Sequence, residues 1–148
     1  TLLQVVNEHV PVLLNQRPMT LAAELRVESQ LTLQGEIVDP KCYFGVMKPG
    51  EGKPHRSCAI RCIAGGIPPV FRVNDKNEHY ILLDENLDPI NDLVLAVVGD
   101  NITLTGKSVQ FDNWKILLVE KKNLVVQAKA AILLRTRMAM EKDITLCR

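Results

Sequence analysis

Three of the four cysteines and one of the three histidines fall in a single short stretch, CYFGVMKPGEGKPHRSCAIRC (42–62). Thiolates and imidazoles are the donors that soft and borderline metal ions select, and paired thiols are the groups that close disulfides. Pro54 can open a helix and Gly65-Gly66 can close it, which predicts a helix carrying HRSCAIRCIA. His55, Cys58 and Cys62 then stand at i, i+3 and i+7, on one helix face. Ile60 and Ile63 turn to other sides, and Arg56 and Arg61 point to water. Cys42 follows the first predicted strand, and a loop with Gly45, Pro49, Gly50 and Gly52 folds it back over the helix.

Three chemistries fit this constellation. A disulfide from Cys42 to Cys58 or Cys62 would pin the glycine-rich loop and contribute about 3 kcal/mol by chain entropy, leaving the third cysteine free. A metal site would use Cys42, His55, Cys58 and Cys62, a donor set for zinc or for a soft ion such as Cu(I), with Met47 as a further soft ligand for copper. The spacing C-x12-H-x2-C-x3-C differs from zinc signatures built on paired C-x2-C units. The third reading is a cluster of small buried apolar residues with no chemistry. A redox pair would want C-x-x-C, and C-x3-C is not that motif. Cys58 and His55, three apart on one helix, lack the geometry of a nucleophile and its base, so the expected role is non-catalytic.

Other candidates are weaker. KPGEGKPH (48–55) has Pro54 where a phosphate loop needs a hydroxyl residue, and reads as a flexible basic loop over the site. His9 and His79 are isolated, and His79 reads as solvated at a hairpin tip. Asp84, Glu85, Asp88 and Asp92 read as a solvated edge and helix cap, with spacing unlike a calcium loop.

The elements that must position the cysteines follow from periodicity. LTLQGEIV (31–38) alternates, and ITLTGKSV (102–109) repeats its pattern, so Gly35 and Gly106 each mark a bend within a strand. PPVFRV and HYILLDE flank the turn NDKN as a hairpin. DPINDLVLAVVG reads as a short helix capped by Asp88, with Pro89 at its first position and Gly99 past its end. KILLVEKK follows the turn FDNW as the last strand. The order predicts a mainly β chain, a small OB-like five-stranded barrel over residues 31–122 with a short Cys-bearing helix. Residues 1–30 form a lead-in. Residues 123–148 form a helical or strand extension, in which Leu124, Ala128, Ala131, Leu134 and Met138 line one helix face and Arg135, Arg137 and Lys142 the wet side. That helix packs on the barrel or serves a partner or membrane surface.

Bulk composition sets limits. The chain has 148 residues, enough for one domain with its own core. Eighteen basic residues against seventeen acidic ones give no broad field for nucleic acid, and 4% aromatic content offers no base-stacking surface. An oligonucleotide-binding barrel is therefore the outsider, and a protein partner is expected instead. No apolar run is long enough to span a membrane. The first residue is Thr1, not Met, so the chain is expected to be a processed product or a fragment, and a removed signal or anchor would give it a membrane association.

Residues 35–73 resemble an uncharacterised bacterial family with the pattern G-x-V-V-D-x-x-C, then M-K-P-G-x-G-x-x-H, then C-A-x-x-C-x-x-G-G-x-P-P. The resemblance covers about a quarter of the chain, with a weaker echo in ITLTGKSV. It implies that Asp39, Cys42, His55, Cys58 and Cys62 matter. Members are exported or attached to membrane proteins, which implies a periplasmic location and a place in a membrane-associated or redox assembly.

Overall fold

The computed structural model describes residues 26–45, 47–124, 129 and 132–133. Five strands close into a barrel in the order β1-β2-β3-β5-β4: β1 (Arg26–Val38), β2 (Val70–Val73), β3 (His79–Asp84), β4 (Asn101–Phe111) and β5 (Trp114–Val119). Neighbours run antiparallel except β3 and β5, which pair in parallel from Ile81↔Ile116 to Asp84↔Val119. This is the OB-like barrel expected from the strand spacing. Three short helices interrupt it: α1 (Pro40–Tyr43) and α2 (Gly52–Ala64) between β1 and β2, and α3 (Asn91–Val94) between β3 and β4.

β1 closes the barrel by serving two neighbours. It pairs with β4 along most of its length and with β2 at its end, and Gly35 lies in the overlap, opposite both Val73 and Ile102. A Cβ on Gly35 would overlap the Arg72 carbonyl oxygen, and one on Gly106 would overlap the Leu118 carbonyl oxygen. The two glycines, expected to mark bends within their strands, are points where a neighbouring strand's carbonyl comes too close for a side chain. Gly35→Ala forces β1 and β2 apart, and a loss of about 2–3 kcal/mol in unfolding free energy is expected from urea denaturation.

Alternation places the core. β3 buries Tyr80, Leu82 and Asp84 and leaves the residues between them half-exposed. Ile37, Phe71, Leu82, Leu104 and Leu117 are completely buried in the barrel, and Ile63 of α2 and Val94 of α3 join the same cluster. The core is aliphatic around Phe71 and Tyr80, as the low aromatic content requires.

Four expectations are corrected. The helix predicted over 88–99 shrinks to the single turn of α3, followed by turns to Gly99 at φ +72°. Asp88 does not cap it, because the turn starts at Asn91 with Ile90 in the cap position and no side-chain cap bond; the Asp88 N–H donates to Asp84 Oδ1 (2.7 Å). Asp84 is no solvated edge: it is fully buried, accepts from the N–H groups of Asn86 and Asp88, and meets Lys121 Nζ at 2.7 Å. That ammonium, hydrogen-bonded to the carboxyl, holds Asp84 below the usual carboxylate range. Arg56 does not point freely to water either: its guanidinium reaches Asp100 Oδ1 (2.7 Å) and the Ala96 carbonyl (2.8 Å).

Residues 121–124 are helical, and Leu124 is buried in the barrel core. Residues 129 and 132–133 are helical too. The rest of the predicted helix face, the lead-in to residue 25, His9 and Cys147 lie outside the described residues. Among the described residues, no helix is long and apolar enough to cross a membrane.

Candidate metal centre

The connection from β1 to β2 builds the site. Asp39 follows β1 in extended geometry and caps α1, with Pro40 at the first helical position. Its Oδ1 accepts the Cys42 N–H (2.9 Å), and Cys42 is the one buried residue of α1. The other carboxyl oxygen, Oδ2, meets His55 Nε2 at 3.0 Å. Asp39 is 0% exposed and His55 5%, so this pair is closed to water. One short side chain thus ties the start of the connection to its second helix.

α2 begins at Gly52, two residues before the proline that signalled it; Pro54 still falls in the first turn, where its missing N–H is harmless. It ends as expected. Gly66 adopts φ +99°, its N–H donates to the Ile63 carbonyl, and the Ile67 N–H donates to that of Cys62, the paired bonds of a Schellman motif. Asn91 secures this end by donating to the carbonyls of Ile63 and Ile67. His55, Ala59 and Ile63, one helical row, are the buried residues of α2. Cys58 and Cys62 form the adjacent row and are half-buried.

The result is two donor groups that share a residue. The sulfurs of Cys42, Cys58 and Cys62 lie within 4.8 Å of one another. A carboxyl oxygen of Asp39, the Cys42 sulfur and a ring nitrogen of His55 also lie within 4.8 Å of one another. The four residues predicted as one ligand set are therefore brought together around Cys42, but His55 groups with Asp39 and Cys42 rather than with Cys58 and Cys62. Met47, the proposed soft ligand for copper, is 48% exposed.

No disulfide joins Cys42, Cys58 and Cys62. The Cys42 and Cys58 sulfurs stand 3.9 Å apart, nearly twice the covalent length of about 2.05 Å, which corrects the disulfide expectation for these residues. The separation suits a shared ion instead. With metal–sulfur bonds of about 2.3 Å, two thiolates on one ion lie about 3.8 Å apart in a tetrahedral site and about 4.0 Å apart in a trigonal one. The cysteine and histidine groups can hold a metal ion.

Electrostatics bear on what else the thiols can do. Burial, then the nearby Asp39 carboxyl, then the adjoining Cys58 push the Cys42 thiol up to about 12. Burial and Asp39 also raise Cys62. A nucleophilic cysteine needs the opposite shift, so Cys42 is not an activated thiolate. The same shift has a consequence for stability. An exposed thiol ionises near 8.5, so as pH rises the unfolded chain loses this proton before the folded one does. The stability Cys42 contributes as a neutral thiol is complete below that value and is lost as pH climbs toward about 12. The melting temperature of metal-free protein should fall above about pH 9, and Cys42→Ala should flatten that fall.

Two further features escaped the sequence. His79 is not solvated at a hairpin tip; it opens β3, half-buried, with its ring 5.4 Å from Tyr43 and 5.0 Å from Phe44. Burial lowers its affinity for a proton, with Arg72 adding to the effect. The capping role of Asp39 could have been anticipated from the Asp-Pro pair at a strand end, a helix-start signal, but nothing in the spacing points its second oxygen at residue 55.

No family model, curated protein or solved structure matches this chain.

Proposed function

We propose that this protein is a non-catalytic metal-binding module that holds a thiophilic ion on Cys42, Cys58 and Cys62. The observation that carries the reading is the mutual approach of three sulfurs from two separate helices, at a spacing one ion can bridge. Zinc(II) suits the site better than copper(I). The thiolates sit beside fully buried Asp39, and the doubly charged ion leaves less negative charge uncompensated away from water. Three protein sulfurs leave a fourth coordination position for water or a donor from outside.

The module is read as an accessory part of a larger assembly. Phe44 and Met47 are exposed just after Cys42 in the chain, which gives a protein partner apolar contacts near the ion. Export, which the motif resemblance implies, fits a metal role: an ion held by thiolates keeps them from pairing in an oxidising compartment.

The test is metal analysis with thiol counting on protein purified without chelator. Bound zinc, with the thiols of Cys42, Cys58 and Cys62 unreactive until it is removed, supports the reading. Freely reactive thiols, with no zinc taken up on titration, would overturn it.

A further inference from the structure

Neither donor group contains the other, and they meet at a single ligand atom. Cys42 belongs to the three-sulfur group with Cys58 and Cys62 and also to the group with Asp39 and His55. A thiolate has lone pairs enough for two metal ions, and sulfur commonly bridges them. The geometry points to a two-metal site: one zinc ion on Cys42, Cys58 and Cys62, a second on Asp39, His55 and Cys42, with the Cys42 sulfur as the bridge. This rests on the proposed metal-binding role and extends it.

Charge supports the pairing. A single zinc ion on three thiolates leaves one net negative charge, next to a carboxyl group that is 0% exposed. Uncompensated charge of that kind is costly away from water. A second zinc ion balances the three thiolates and the Asp39 carboxylate together. The donors suit it, since carboxylate, imidazole and thiolate are the ligand types zinc accepts. The change required is small. With metal–nitrogen and metal–oxygen bonds of about 2.05 and 2.1 Å, two donors on a tetrahedral ion lie about 3.4 Å apart. His55 Nε2 and Asp39 Oδ2 are already 3.0 Å apart. Cys42 gives up its thiol proton when the first ion binds; the second ion takes the place of the hydrogen between Nε2 and Oδ2, which moves to Nδ1 so that His55 binds as a neutral imidazole. Oδ1 stays on the Cys42 N–H, so the second group keeps its anchor to α1.

The experiment counts ions. Wild-type protein, stripped with a chelator under reducing conditions, is titrated with zinc and weighed intact by native mass spectrometry. Two zinc ions per chain are expected for the wild type, and one for His55→Ala and for Asp39→Asn, with circular dichroism melts showing that the variants are folded. A wild type that saturates at one ion overturns the bridged site and leaves the proposed function standing. A wild type that takes none overturns both. Cadmium-loaded wild type supplies a reading that needs no variant. Two cadmium NMR resonances coupled through a shared sulfur support the bridge, and two uncoupled resonances, or a second ion that persists in both variants, place that ion elsewhere and overturn it.

Discussion

Cys42→Ser should remove metal binding from this protein almost entirely, with affinity for the first zinc ion falling by at least about a hundredfold. The magnitude follows from the position. Losing a residue that merely orients a ligand already costs about 10–100-fold, and Cys42 is a ligand itself, central to both donor groups. Serine keeps the size of the side chain and the backbone N–H that Asp39 holds, so the fold should survive. Cys58→Ser should weaken binding less, since Cys58 belongs to one group only. Cys147→Ser, in the terminal tail, is the matched control and should change nothing. Competition titration against a chromophoric chelator measures all three. Wild-type affinity in Cys42→Ser would contradict the placement of the site.

Asp39→Ala should be the most damaging substitution to the connection between β1 and β2, costing about 3 kcal/mol. It deletes the cap of α1, worth about 0.5–2 kcal/mol. It also strands the His55 ring nitrogen, and a buried group left without a partner costs about 1–3 kcal/mol. Asp39→Asn should cost only about 1 kcal/mol, because an amide can still accept from Cys42 and meet the imidazole. Urea denaturation of metal-free protein separates the two variants. Equal stabilities would mean that the buried bonds of Asp39 contribute nothing beyond side-chain volume.

Where local chemistry dictates the outcome, the sequence is readable. The glycines of the repeated strand patterns proved to be the close approaches of the barrel, because only a missing Cβ admits the neighbouring carbonyl. The helix carrying the cysteines has its stop at Gly65-Gly66, because Gly66 takes a backbone angle that other residues resist. The i, i+3, i+7 spacing did gather Cys58 and Cys62 on one flank, and the loop did return Cys42 to them. What failed depended on contacts between distant segments. Asp84 looked like a surface acid by type, yet it occupies an inward position of β3, where Lys121, far along the chain, joins the N–H groups of Asn86 and Asp88 in compensating its charge. Arg56 looked solvated until the turns after α3 supplied Asp100 and the Ala96 carbonyl. His55 was placed on the correct helix face, but the helical row it shares with Ala59 and Ile63 turns it inward to Asp39, one row away from Cys58 and Cys62. One helical row decided between one donor set and two.

X-ray absorption at the zinc edge, on protein loaded with one equivalent of zinc, tests the central claim most directly. Three sulfur neighbours at about 2.3 Å, with one lighter atom completing the shell, is the result that coordination by Cys42, Cys58 and Cys62 predicts. A shell of nitrogen and oxygen alone, or a single sulfur, would contradict it.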